Sequence, residues 1–359
     1  MAYTTIDDPS AYFQSVLWTG DDETDRAITN TGNSDLQPDW VWVKCRNDTF
    51  DHVIVDSSRG ASTSTTGTQL SSNLNAAEPS NTNGHVKSFN SDGFNVRSGS
   101  SAGNPLVGVN KDAKTYVAWQ WKANGGTTSS NTSGSITSTV QANTTSGFSI
   151  ITYTGNATDD ATFGHGLGAV PHFIIIKRTN STNGWAVYHR SQGADKALFL
   201  STTAAVESSS FYQATPTSTL ITLNDHSNVN NESGTYICYC FTEIQGYSKF
   251  GTYVGNGNAD GTFIYTGFKP AWVMVKNIST TGWWNINDHK RPGHNPTDDM
   301  LAAQSSNAEA DEDDIDLLSN GFKQRSTGGD PNGSGETFVY AAFAEQPFVT
   351  SGGVPCTAF

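Results

Sequence analysis

Apolar and β-branched residues fall in short runs separated by Gly, Pro, Asn, Asp and Ser, the spacing of an all-strand chain. In Trp40-Val41-Trp42-Val43 every position is apolar, with two tryptophans on one alternating face and two valines on the other. A half-exposed strand would alternate apolar with polar, so this run predicts a strand covered on both faces. Two further runs have the same form, Phe173-Ile174-Ile175-Ile176 and Trp272-Val273-Met274-Val275. Each is led by a proline (Pro38, Pro171, Pro270) and closed by a lysine (Lys44, Lys177, Lys276), with a Pro-to-Lys spacing of six in all three. Proline at the head of a run costs no ladder bond in the strand interior. One face is expected to meet the opposing sheet of its own unit, and the other a neighbouring unit or another chain.

Other segments recur in the same order. Leu17-Trp18-Thr19-Gly20, Tyr153-Thr154-Gly155-Asn156 and Tyr253-Val254-Gly255-Asn256 open each copy. Aromatic-rich stretches follow the Pro-led runs, from Phe50 to Asp56, Trp185 to His189 and Trp283 to Asp288. A Ser-Asx-Gly-Phe turn stands at Ser91-Asp92-Gly93-Phe94 and Ser319-Asn320-Gly321-Phe322, and the middle copy reads Thr219-Leu220-Ile221-Thr222 instead. Runs from Thr115 to Trp121, Thr235 to Phe241 and Thr337 to Phe343 close the copies, again with a spacing of six.

The fold class expected is all-β, as three tandem β-sandwich repeats (jelly-roll or lectin-like) of roughly 100 residues each. Residues 1–123 form the first with an N-terminal arm, 124–145 a Gly/Ser/Thr/Asn-rich linker, 146–246 the second, 247–348 the third and 349–359 a C-terminal arm. Within the linker, Ile136-Thr137-Ser138-Thr139-Val140 also reads as an edge strand. No heptad pattern predicts a coiled-coil shaft.

Composition narrows the function. The formal net charge is −14, which argues against nucleic acid or anionic lipid as a partner, since phosphate binding needs clustered Lys and Arg. No apolar run approaches the ~20 residues of a membrane span, and the opening Met1-Ala2-Tyr3-Thr4-Thr5 has neither the basic nor the apolar region of a secretory signal. Cys238 and Cys240, two apart in a strand, share a face and are poorly placed to bridge each other. With Cys45 and Cys356 they are read as free thiols.

The Tyr-x-Gly-Asn, Pro-led, Ser-Asn-Gly-Phe and Thr-Tyr-Val series resembles an uncharacterised β-repeat domain of virion structural proteins from tailed bacteriophages of marine and cyanophage type. The resemblance runs from about residue 3 to 357 and includes Ala2-Tyr3-Thr4-Thr5-Ile6 and the Gly134 to Val140 segment. It implies a virion-surface protein, assembled in the host cytoplasm and released by lysis, often a tail fibre. Its partners would be other capsid or tail proteins and a host-surface glycan, and by analogy three-fold homo-oligomers. A capsid decoration protein bridging subunits through its two-faced strands and arms is the alternative, and a polysaccharide depolymerase a minor one. The family carries no assigned catalytic or cofactor residues.

Candidate chemistry is sparse, and no enzyme is expected. His165-Gly166-Leu167-Gly168 reads as a turn, since no nucleophile elbow accompanies it. His189 and Asp288 end equivalent aromatic stretches and read first as polar strand ends, then as receptor contacts. Trp185, Trp283 and Trp284 follow turns; as aromatics of a repeated anchor they read first as core, and second as exposed rings that stack on sugar. At strand period two only one of Trp283 and Trp284 points inward, leaving the other as a ligand or interface candidate. The run from Ala310 to Asp316 reads as a solvated loop; its Asp311, Asp313 and Asp314 are weak calcium candidates without EF-hand spacing.

Overall fold

The computed structural model describes residues 2–60, 67–81, 84–99 and 108–357. Nearly all regular structure is β. The Pro-led runs form strands Trp40–Cys45, Phe173–Arg178 and Phe268–Asn277. In each copy the closing strand sits between the opening strand and the Pro-led strand, and the aromatic strand lies on the far side. Thus Phe13–Thr19, Thr115–Trp121, Trp40–Cys45 and Val53–Asp56 are neighbours in one sheet. The order repeats with Phe148–Thr154, Thr235–Phe241, Phe173–Arg178 and Ala186–His189, and with Ser248–Val254, Thr337–Pro347, Phe268–Asn277 and Trp284–Asp288. All these pairings are antiparallel.

A second, smaller layer covers one face of each main sheet, giving β-sandwich packing. In the first copy Val41, Val43 and Cys45 pack with Ile28, Phe94 and Val96. In the second, Ile174, Ile176, Cys238 and Cys240 pack with Phe163 and Ile221. The pair Ala161–Gly164 and Leu220–Leu223 matches the first copy's Arg26–Ile28 and Phe94–Ser98, so the deviant Thr219-Leu220-Ile221-Thr222 still occupies the turn-and-strand position. All four cysteines are free, and Cys238 and Cys240 share one cluster as the strand period requires.

The opposite faces of the three main sheets meet in one aromatic core. Trp40 stacks on Tyr239 at 4.4 Å, Phe173 on Phe250 at 5.6 Å, and Phe13 on Phe343 at 5.6 Å between ring centroids. These contacts join the first copy to the second, the second to the third, and the first to the third. Both faces of Trp40–Cys45 are buried throughout, and the second face meets neighbouring copies of the same chain.

Three expectations change. Residues 124–145 are no free tether, because Ser129–Asn131 and Ser138–Asn143 extend the second copy's sheet beyond its opening strand. Gln141, buried there, accepts from the Gly126 amide and donates to Ser57 and Ser58, tying the segment to the first copy. The acidic run is a strand, Ala310–Leu318, in which Ile315 and Leu317 fill the core between its carboxylates. Pro270 lies inside its strand, at a register shift, where a bulge spares the missing donor.

The terminal arms fold back. Tyr3 Oη donates to the Gly267 carbonyl and Thr4 Oγ1 to Gln245, each at 2.7 Å, and Ile6 enters the shared core. Asp7 accepts from the amide and hydroxyl of Ser351, so the two ends of the chain meet.

Candidate functional site

The sequence-predicted residues converge on the junctions between copies. Asp56, His189 and Asp288 pair with the second residue after each leading proline, in identical register: Trp40 with Asp56, Phe173 with His189, Trp272 with Asp288. Each reaches the closing strand of another copy. Tyr239 Oη donates to Asp56 at 2.8 Å, Trp119 Nε1 donates to Asp288 at 2.9 Å, and His189 Nε2 lies 3.4 Å from the Tyr340 carbonyl. The links run first to second, third to first and second to third, so they close a ring.

Two other rows repeat the pattern. Glu78 N–H donates to Thr179 O, Val206 N–H to Ile278 O, and Glu309 N–H to Arg46 O, in each case to the residue two past the Pro-led strand's lysine. Four positions before the strand-end residues stand His52, Trp185 and Trp284. His52 Nε2 donates to Ala302 O at 3.0 Å, Trp185 Nε1 to Ser71 O at 3.0 Å and Trp284 Nε1 to Phe199 O at 2.9 Å. All three rings are at most 1 % exposed, which leaves Trp185 and Trp284 no face for a sugar. Trp283 is half-buried, so of the pair it is the ring nearer solvent.

Electrostatics distinguishes the junctions. Asp288 pairs with Arg291 at 2.7 Å, both side chains fully buried, and Arg291 continues to Glu309 at 3.0 Å. Burial alone would raise the Asp288 carboxyl, but the Arg291 charge and the bonds from Trp119 and Arg291 hold it below the usual range. Asp56 makes the equivalent pair with Arg59 at 2.6 Å, and Arg59 also pairs with Glu78. Burial pushes the His189 imidazole down to about 4, against the pull of the Tyr340 carbonyl. Its Nδ1 lies 2.7 Å from Ser191 Oγ and also accepts from the Ser191 amide, capping a short 3-10 turn at Arg190–Gln192. The three lysines that close the Pro-led runs are buried and push down to about 8 for the same reason. Their ammonium groups bond carbonyls, Lys177 to Asn75 and Lys276 to Thr203 among them, across copies again.

His165 is buried in the Gly166/Gly168 turn, with Nδ1 accepting from Leu167 and Nε2 beside Thr217 O. Among the described residues no group of three His, Cys, Asp or Glu could hold a metal ion. Asp311 is exposed and pairs across the ladder with Asp299; the side chains of Asp313 and Asp314 lie outside the described residues.

Two features escape a reading by runs alone. Asn110, Asn230 and Asn332 each stand five positions before the threonine of the closing run and are fully buried. Asn230 Nδ2 donates to Thr158 O and its Oδ1 accepts from Asn156; Asn332 does the same for Asn258 O and Asn256. They cradle the opening loop so tightly that a Cβ on Gly155 would meet the Asn231 carbonyl, which accounts for the glycine of Tyr-x-Gly-Asn. The fixed spacing was the signal, hidden because isolated Asn reads as a turn residue. The second feature is an exposed aromatic pair, Phe263 and Tyr265, on the edge strand Phe263–Tyr265.

One family model, described as a domain of unknown function (DUF7483), matches residues 8–347. The chain belongs to that family. The DUF7483 match runs through all three copies as one unit, as does the ring of junction contacts. No curated protein and no solved structure matches the chain.

Proposed function

We propose that this DUF7483 chain is a non-enzymatic structural protein of a phage virion, a tail-fibre or appendage module that presents jelly-roll-like β-sandwich copies for recognition of a host-surface glycan. The motif series resembling virion repeats is the basis for the phage assignment. The observation that carries the choice of role is where the two-faced apolar strands go. A decoration protein would use those strands and its arms to bridge capsid subunits. Here Trp40, Trp42, Trp119 and Trp121 face the other copies of the same chain, and Tyr3, Thr4 and Asp7 hold the arms against it. What is left for a partner is the outer layer and the loops, which suits display at the particle surface.

The same closure bears on oligomeric state. Three copies in one chain supply the three-fold arrangement that separate chains would otherwise provide, so the module is a monomer in this reading. A depolymerase draws no support, since Asp56 and Asp288 are buried in ion pairs rather than facing each other across a groove.

Copy number per purified virion, from quantitative mass spectrometry against the major capsid protein, tests the reading. A few to a few tens of copies is the expected result. Hundreds would transfer the chain to the capsid surface, and none would end the virion assignment.

A further inference from the structure

The three copies provide an internal control for what the fold itself requires. On the edge strand of the smaller layer, Ile28 and Ile264 face Phe94 and Phe322 in the same register, and Phe163 faces Ile221. These inward positions are apolar and buried in all three. The flanking positions are the exposed Ala27 and Thr29 in the first copy, Thr162 and the buried Gly164 (packed against Asn131) in the second, and Phe263 and Tyr265 in the third. The fold therefore does not need large rings there. Yet the third copy exposes 45 % of Phe263 and 49 % of Tyr265, against the cost of leaving apolar area in water.

The pair is also built as a platform. The residue opposite Tyr265 is Gly321; a Cβ there would strike the Ile264 carbonyl, as one on Gly93 would strike the Ile28 carbonyl in the first copy, so the glycine belongs to the shared turn, and it leaves the edge of the Phe263 ring over a floor without a side chain. Tyr265 Oη sits 3.3 Å from Tyr3 Oη, which donates to the Gly267 carbonyl at 2.7 Å and so holds the phenol ring in place. Around the rings lie two ion pairs, Lys323 with Asp260 and Arg325 with Asp316. Lys323 faces Phe263 directly across the ladder and Asp316 faces Lys323.

From this we infer that Phe263 and Tyr265 form a stacking site for a neutral pyranose of a polysaccharide. The apolar C–H face of a pyranose covers aromatic rings, while its hydroxyls need donors and acceptors at the rim. A rim of two cations and two anions offers both and carries no net charge, matching an uncharged, polyhydroxylated ligand. The overall charge of −14 opposes an acidic polymer. The inference rests on the display reading, to which it adds a ligand class and a site.

Affinity electrophoresis of the full chain through gels containing a β-glucan, an α-glucan or a galactomannan, with alginate as the acidic control, tests it. Retardation by at least one neutral polymer is expected, with no effect of alginate. Phe263→Ala and Tyr265→Ala should each weaken that retardation about tenfold, roughly 1.4 kcal/mol. Leu74→Ala, at an exposed apolar residue elsewhere, should leave it unchanged, with circular dichroism verifying the fold of each variant. No retardation by any neutral polymer, retardation that persists in both ring variants, or a self-association that the ring variants abolish would overturn the site. Copy number per virion is read separately, so the display role can fail or stand independently of the sugar.

Discussion

The junction between the third and first copies and that between the second and third occupy equivalent places but are made differently. At the first, Asp288 lies between Arg291 and the indole of Trp119, and Arg46 reaches across to Glu309 at 2.6 Å. At the second, the hydrogen-bond partner His189 finds across the junction is the Tyr340 carbonyl, Val206 stands where Glu78 and Glu309 stand elsewhere, and Phe173 stacks on Phe250. The reason lies on the closing strands. Trp119 and Tyr239 carry a donor at the fourth position after the threonine, and the third copy has Ala341 there. A carboxylate at 189 would be buried without that donor, a costly state, whereas an imidazole can remain neutral. The identity of one residue thus follows from the closing strand of the neighbouring copy in the ring.

Breaking the charged junction should have the largest effect. Asp288→Leu strips Arg291 of one carboxylate and orphans the Trp119 N–H, and it should cost about 3–5 kcal/mol in equilibrium urea unfolding. A loss below about 1 kcal/mol would erase the distinction between the junctions. Installing the charge where its partners are missing comes next. His189→Asp should destabilise by about 3 kcal/mol, and adding Gln192→Arg should recreate the i, i+3 pair of Asp56–Arg59 and Asp288–Arg291. A double-mutant cycle should then show a favourable coupling of about 1–3 kcal/mol; a coupling of zero would mean that strand-end geometry alone does not make the pair.

Acid should separate the junctions by pH. The unfolded chain protonates His189 near its ordinary 6.5 and the folded chain near 4, so the unfolded state binds more protons in between. Stability contributed by the neutral ring is present above about 6.5 and is lost as pH falls toward 4, on the order of 3 kcal/mol. The depressed Asp288 carboxyl contributes above its ordinary value of 3.8 and is lost only below it. His52 and His165, pushed to about 3 and about 4, add to the slope in the first window. His189→Gln should therefore flatten the urea midpoint against pH between 6.5 and 4.5, while an unchanged slope would remove His189 from the account.

The smallest effect expected is local. Gly155→Ala forces a Cβ onto the Asn231 carbonyl and should cost about 1–3 kcal/mol by overpacking, while sparing the junctions. Thermal melts of Gly155→Ala that matched the parent would show the loop yielding freely.

Much of the strand plan was legible because strand faces alternate by a local rule. Trp40 to Val43, Ile174 to Ile176 and Val273 to Val275 announce two covered faces before any partner is known, and of Trp283 and Trp284 only Trp284 is fully buried. The acidic run reads as a loop because polar composition marks exposure, yet a strand can be exposed on one face while still paired; in the 124–145 segment only the 136–140 part reads as a strand, and the structure pairs Ser138–Asn143 there. Trp185 stands out by following a turn and Asp288 by its repeat position, but neither says whether a side chain faces solvent or a neighbouring copy.

By itself, the sequence determined the all-β character, the order of the recurring strands and which faces are apolar, since these follow from side-chain size and period along the chain. The tertiary structure alone decided what covers those faces. An apolar face is satisfied equally by another chain or by a distant copy of its own, because burial is non-directional. Closure was selected by directional contacts between residues far apart in sequence, such as Trp119 with Asp288 and Tyr239 with Asp56. No local pattern records those pairings.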